Sequence, residues 1–579
     1  MTVDVDVDVA VVGGGPAGST VATLLRKAGW SVSIFEKEKF PRHHIGEALI
    51  PSAVPVLEEL GVKEELDRRG YLKKRGTTFI WGDHQDPWTV YFVEGNPSAG
   101  YSYQMHRPDF DQLLLHNSAK HGAKVYEKHT VTTPVIENSQ VVGLQVRDPS
   151  GHMLSIRSRL VVDASGQSGF LSSRLCNKVW DQQIRNMAIY GYFAGAKRLP
   201  GIDATNTLVE GYDDGWFWAI PLHVGLLSVG TVMDHDQYKA LAKGDLKAAL
   251  LHQISKTRKV RELVETAEFA DGPYIMRDWS YANDSFWGGG FALVGDAACF
   301  IDPLFSTGVF LGMQHAQILT ACINSVLRRE VDEKEAFGFY EEEYRKEYQD
   351  LRQICLAMYG GAAAPRNTIF WNARKIQELP DRISSRSAFA RLICGRERRG
   401  YEVSPLTRLD LPESMANELT DYEKQLRARL TVLTDKELVD QSSRILKEAQ
   451  LISESHPFLD VVLQLDGKAS AIRRLIVKSG KLEQGYVIKT SLNPRGIHLP
   501  AHIAERLLPA IDGERTVRAL VNELVGEGAS LSRIGLVREL ANLYWYGACN
   551  LASQGQDERV ISELRGNLPL PIGIPQSAC

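Results

Sequence analysis

The chain has 579 residues, too many for one hydrophobic core, so two or three domains are expected. It is 44% hydrophobic and 24% charged with a net charge of −4, an ordinary globular profile that excludes a broad nucleic-acid surface. No apolar run is long enough to span a membrane, and the alternating acidic start is not a signal peptide. Seven cysteines lie scattered and never as Cys-x-x-Cys, which argues against a disulfide framework or a metal site and for a reducing cytoplasm.

The first forty residues carry the clearest pattern. Residues 5–12 read as a buried strand that runs into Gly13-Gly14-Gly15-Pro16-Ala17-Gly18, followed by a helical stretch to residue 28 and a second strand ending at Glu36. Strand, Gly-x-Gly-x-x-Gly, helix, strand and acid in that order form a dinucleotide-binding unit. Gly13 permits the tight turn, Gly15 lets a pyrophosphate approach the backbone, and Gly18 lets helix and strand pack closely. The helix N-terminus, led by Pro16 and Ala17, offers N–H groups to phosphates, and Glu36 offers a carboxylate to a ribose. Lys37 and Arg42 complete the candidate cofactor contacts.

Further along, residues 72–82 bring a basic cluster, Lys73-Lys74-Arg75, into a strand. Arg107 opens the stretch Arg107-Pro108-Asp109-Phe110-Asp111. Residues 160–166 and 291–298 each read as a strand ending in an acid and glycine turn, the latter at Gly295-Asp296. Between them, Trp216-Phe217-Trp218-Ala219-Ile220-Pro221 reads as an aromatic strand whose two indoles, two residues apart, share one face. Asp278 lies shortly before Gly295-Asp296, and Ser306-Thr307-Gly308 leads into an apolar helix, a turn that can present successive N–H groups as an anion nest. Residues 331–348 read as a charged helix with Phe337, Tyr340 and Tyr344 on one face, and Gly360-Gly361 through Pro365 as a break. Residues 410–455 read as solvent-facing helices. Residues 508–517 look like the start of a small winged helix without a basic recognition helix, and residues 568–575 read as an extended tail.

With Gly13 to Gly18, Arg107 and Gly295-Asp296, the chain resembles the FAD aromatic-hydroxylase superfamily over roughly residues 5–330. Within it, Trp216-x-Trp218-x-Ile220-Pro221 and the Phe300, Pro303, Ser306, Gly308 pattern resemble flavin-dependent halogenases. The family's lysine precedes a Gly by two and a Phe by five, a spacing that selects Lys74 over Lys73. The resemblance implies FAD used as FADH2 from a separate flavin reductase, with O2 and chloride or bromide as co-substrates. It implies FAD contacts from Arg107, Gly295 and Asp296, a halide site at Ser306, Thr307 and Gly308, and hypohalous acid passed to a catalytic Lys74. Trp216 and Trp218 would wall the flavin off from the substrate. Asp278 is open to two readings, a covalent link to the flavin, as in an acyl-acting branch, or a structural turn acid.

Indole-acting relatives carry a Glu immediately before Ser-Thr-Gly; here that position is Phe305. The resemblance therefore implies an activated substrate, a phenol, a pyrrole or an enolisable acyl group, small or tethered to a carrier protein, and disfavours free tryptophan. The runner-up is a single-component FAD hydroxylase or reductase using NAD(P)H. The expected fold is α/β: a Rossmann-like FAD domain over residues 1–330 with an inserted mixed sheet at about 75–105 and 175–275. A helical region follows over 331–465, then a winged-helix-like module over 466–579.

Overall fold

The computed structural model describes residues 3–81, 86–92, 100–241, 244–363, 457–478, 480–490, 496–526, 533–545 and 547–552. The chain divides into two compact units, the first spanning Met1–Tyr91 and Tyr101–Phe389, the second Phe92–Gly100 and Ala390–Cys579.

The first unit is built on two eight-stranded sheets. One centres on the strand Val5–Val12, flanked in parallel by Val32–Glu36 and by Met153–Asp163. The acidic and apolar alternation at its start is a half-exposed strand end: Asp6 and Asp8 pair with Arg157 and Arg159 of the parallel neighbour. From Val9 on every side chain is buried, as a central parallel strand requires. The helix Pro16–Lys27 follows directly, with Pro in its first turn and Gly15 as its cap.

The second sheet is antiparallel except where Thr207–Tyr212 runs parallel to Gly76–Ile80. Its centre is the strand Gly215–Pro221, buried throughout and paired with Thr207–Tyr212 on one side and Leu226–Asp234 on the other. Its long strands Lys178–Ala194 and Glu268–Asn283 pair along most of their length, and the sheet runs past the expected 175–275 segment to Asn283 and to the edge strand Cys299–Phe300.

Two helices close the unit, Gly308–Leu327 and Glu333–Ala363. Phe337, Tyr340 and Tyr344 are buried, as their spacing implies. Of the break expected from Gly360 to Pro365, Gly360 and Gly361 lie inside the second helix, where packing of its buried face outweighs the roughly 1 kcal/mol that each Gly costs, and the described helix ends at Ala363. Pro365 and residues 410–455 lie outside the described residues, as does the tail at 568–575.

The second unit has its own core, which includes Phe458, Leu463, Ile503, Leu520 and Leu540. Its described C-terminal part begins at the turn Pro457–Asp460, several residues before the boundary expected at 466. Phe458 and Leu459 are fully buried there, so the boundary belongs earlier. Two three-stranded sheets accompany the helices Ala501–Ala510, Val517–Gly526 and Arg533–Trp545. Among the described residues no helix is long and apolar enough to cross a membrane, no cluster fits a metal ion, and five cysteines are free.

Candidate active site

A cleft of about 810 Å³ runs between the glycine turn, the tryptophan strand and the start of the helix Gly308–Leu327. That is the large end of the roughly 300 to 1,000 Å³ spanned by ligand sites.

At one end the residues fit a dinucleotide. A Cβ on Gly13 would lie 2.5 Å from the Ala164 carbonyl oxygen, and one on Gly18 would overlap the Gly13 carbonyl, so both positions demand glycine for packing alone. Gly15 differs: an added Cβ would meet only Arg42 Nη2, at 3.4 Å, so its lack of a side chain leaves the cleft open rather than the fold intact. The first-turn N–H groups of Ala17 and Gly18 have no capping side chain, which leaves them for an anion. Glu36 accepts from the Gly14 and Glu38 N–H groups at 2.8 and 2.9 Å, which fixes its carboxylate at the cleft with lone pairs to spare. Lys37 and Arg42 also line the cleft, and Arg42 is steadied by Asp111 at 3.5 Å.

Arg107 lines the cleft as well, but most of its donors are spent within the protein. Nε and Nη2 clamp Asp111 at 2.7 and 2.9 Å, and Nη1 donates to the Ile45 carbonyl. These bonds tie the 43–48 loop to Asp111 at the edge of the cleft. Opposite it, burial raises the carboxyl of Asp296 to about 6 despite the Arg107 charge. Gly295 packs against Ala17 and Gly312, which brings three turns to one point. Asp278 lies in the strand Glu268–Asn283 opposite Asn186, so it is a strand residue and not a turn acid.

At the other end, Ser306 has φ 59° and ψ 35°, left-handed for a residue with a side chain, and Thr307 returns to the right-handed region at −96° and −17°. Adjacent residues of opposite hand turn successive N–H groups towards one concavity, here those of Thr307 and Gly308, because the Ser306 N–H donates to the Pro303 carbonyl at 2.9 Å. Thr307 caps a 20-residue helix without a side-chain cap bond, so the helix dipole adds to this concavity. Ser306 and Gly308 face the cleft, and Thr307 is buried behind them.

Trp216 and Trp218 form one wall, with ring centroids 6.2 Å apart. Both indole N–H groups are pinned. Trp216 Nε1 donates to the Tyr359 hydroxyl at 2.7 Å, which donates to Asp302 Oδ2 at 3.0 Å. Asp302 Oδ1 accepts from the Leu304 N–H, which ties this wall to the turn that carries Ser306. Trp218 Nε1 donates to Ser228 Oγ at 3.2 Å, and its ring lies on Gly230, where any Cβ would overlap it.

Lys74 is fully buried on a two-residue strand paired with Ser102–Tyr103, and removal from water lowers its amine to about 7. It does not line the main cleft. It stands two residues before Gly76–Ile80, whose neighbour Thr207–Tyr212 presents Thr207 and Val209 to the cleft beside the tryptophan strand.

The sequence reading missed several residues here. Glu47 is buried in the cleft wall and accepts from the Tyr192 hydroxyl at 3.0 Å, and burial raises it to about 7 against the lowering pull of Ser228 and Tyr192. A lone carboxylate in the apolar run from Ile45 to Ile50 is the signal that could have found it. His43 stacks on Tyr274 at 3.9 Å and meets the Tyr192 hydroxyl at 3.2 Å. Tyr359 and Asp302 left no such signal.

A family model described as Tryptophan halogenase matches residues 8–99 and 94–400. A tryptophan 2-halogenase of Chondromyces crocatus is 32% identical over 64% of this chain and 70% of its own length. A flavin-dependent halogenase of Armillaria mellea is 33% identical over 61% of this chain and 71% of its own. Among solved structures, the myxobacterial chondrochloren halogenase, a variant of FAD-dependent halogenases, is 39% identical with a TM-score of 0.63, covering 68% of this chain and 91% of that one. The flavin-dependent halogenase CmlS is 28% identical with a TM-score of 0.69, covering 95% and 96%. With a family match across most of the first unit and relatives of this identity along more than two thirds of their own length, the chain belongs to the flavin-dependent halogenases.

Proposed function

We propose that this halogenase acts on an activated ring or enolisable acyl group, with Lys74 as the residue that hands over the halogen. The observation that carries this is the burial of Lys74, which holds its amine near neutrality beside the strand pair that backs the tryptophan wall. An amine that loses its proton when shut off from water can take up halogen from hypohalous acid with release of water; protonated, it can donate a hydrogen bond to that acid.

FAD, bound in reduced form along Gly13 to Gly18, Glu36 and Gly295-Asp296, supplies the oxygen chemistry that converts halide to hypohalous acid. Thr307 and Gly308 would hold chloride or bromide through their N–H groups; the Ser306 N–H is spent on the Pro303 carbonyl, so Ser306 can add only its hydroxyl. The pinned indoles of Trp216 and Trp218 exclude the substrate from the flavin's side of the wall. Phe305 is buried and offers no charge near the halide turn, which supports a substrate that needs no further activation. One relative is named for tryptophan, so free tryptophan is the competing substrate. A carrier-bound substrate, docking on a winged-helix-like second unit, is the further form of the same proposal, and Asp278 is its candidate covalent flavin attachment.

The test supplies purified protein with a flavin reductase, NADH, O2 and bromide, and follows product mass for phenols, pyrroles, thioesters and tryptophan. Lys74→Ala is expected to bind FAD and oxidise FADH2 yet yield no halogenated product; retained halogenation overturns its role.

A further inference from the structure

Beside Lys74 lies a polar face that the flavin and halide do not use. Ser102 sits directly opposite Lys74 in the antiparallel pair, so their side chains share one face. Gln104, two residues on, lies on that face too. The opposite face confirms the alternation: Tyr103 donates to Asp67 at 2.8 Å, and the ammonium of Lys73, its register partner, lies 3.7 Å from the same carboxylate.

Ser102 and Gln104 are both fully buried, and Ser102 Oγ and Gln104 Oε1 have no hydrogen-bond partner. The amide orientation is fixed, because Gln104 Nε2 donates to the Thr205 carbonyl at 3.1 Å, which only an N–H can do, and to Thr207 Oγ1 at 3.0 Å. The orphan is therefore an acceptor. Leaving it unmet costs about 1–3 kcal/mol. Thr207 also lines the cleft, so the Gln104 amide stands one hydrogen bond away from it, while Lys74, Ser102 and Gln104 themselves lie behind its lining.

We propose that Gln104 and Ser102 seat the hydroxyl of the substrate, Gln104 Oε1 accepting from a phenolic or enolic O–H and Ser102 Oγ donating to its oxygen. This rests on Lys74 being the site of halogen transfer. A hydroxyl matches the pair because it both donates and accepts; a pyrrole N–H donates alone and satisfies only Gln104. The two residues would thus set specificity for hydroxylated rings and fix which carbon faces Lys74.

The experiment measures binding and turnover of phloroglucinol, 1,3,5-trimethoxybenzene and pyrrole, with reductase, NADH, O2 and bromide. Wild type should favour phloroglucinol over the trimethyl ether by at least about 100-fold in kcat/KM, since a site built for a hydroxyl rejects its ether strongly. Gln104→Met should raise KM for phloroglucinol at least about tenfold, with a smaller effect on kcat, and narrow that preference below about tenfold. Ser102→Ala, which removes only an unpartnered hydroxyl, should raise the same KM about fivefold and keeps the test alive if Gln104→Met fails to bind FAD. Unchanged preference in both variants overturns the proposal, as does preference for pyrrole or the ether, or no detectable binding of phloroglucinol. Lys74→Ala serves as the control: if it still halogenates, the premise fails; if it is inactive while the Gln104 and Ser102 variants keep wild-type preference, only this inference fails.

Discussion

Burial of Lys74 makes the stability of the folded chain depend on pH. Its amine is held near 7 in the folded chain against 10.5 in the open, a displacement of about 3.5 pH units caused by burial. At about 1.4 kcal/mol per pH unit, carrying the proton there costs about 5 kcal/mol. The folded state binds fewer protons than the unfolded between pH 7 and 10.5, so stability rises with pH across that window. It is lost as pH falls through 7. At pH 7 the penalty is about 4 kcal/mol, and at pH 10 about 1 kcal/mol. Lys74→Met removes the titrating group with little change in volume. Its stability gain over wild type should therefore shrink by about 3 kcal/mol between pH 7 and pH 10. Urea unfolding followed by tryptophan fluorescence at the two pH values measures this, and the pH-independent packing change cancels in the difference. Equal gains at both pH values would refute a near-neutral buried amine, and with it the chemistry assigned to Lys74.

Glu47 tests the opposite sign: its folded value is raised from 4.5 to about 7, so the stability it contributes is full below 4.5 and lost as pH rises through 7. Glu47→Gln should gain about 3 kcal/mol over wild type between pH 4.5 and 7.5, seen in the same unfolding experiment. Gly15→Ala should leave the melting temperature within a degree or so but weaken FAD binding at least about tenfold by fluorescence titration, whereas Gly18→Ala should lower the melting temperature outright. Gly230→Ala should push Trp218 out of place, costing about 1–3 kcal/mol and lowering the ratio of halogenated product to FADH2 consumed. Tyr359→Phe cuts the link between Trp216 and Asp302 and should raise the KM for bromide several-fold while FAD affinity holds.

What could be read in the sequence and what could not divides by the range of the physics. The glycine turn, Glu36 and the Ser306–Gly308 turn are legible because backbone geometry and local N–H groups make them, within a few residues of one another. Lys74 was chosen by spacing, yet its burial, which gives the amine its chemistry, comes from strands that reach it only after folding. Arg107 shows the converse: it lines the cleft, and its bonds to Asp111 and the 43–48 loop are ones no motif records.

The residues that went unseen act across long separations. Trp216 reaches Tyr359 across 143 positions, Tyr192 reaches Glu47 across 145, and Gln104 reaches Thr207 across 103. Each of these bonds holds a part of the cleft that a short motif supplies. The motif residues provide groups common to the chemistry, N–H donors, indoles and an amine. The long-range partners decide how rigidly those groups stand and which acceptors remain open beside them. Specificity should therefore be sought in Ser102 and Gln104 rather than in the tryptophans. The indole N–H groups are fully engaged within the protein, while Ser102 Oγ and Gln104 Oε1 still lack partners for a substrate to supply.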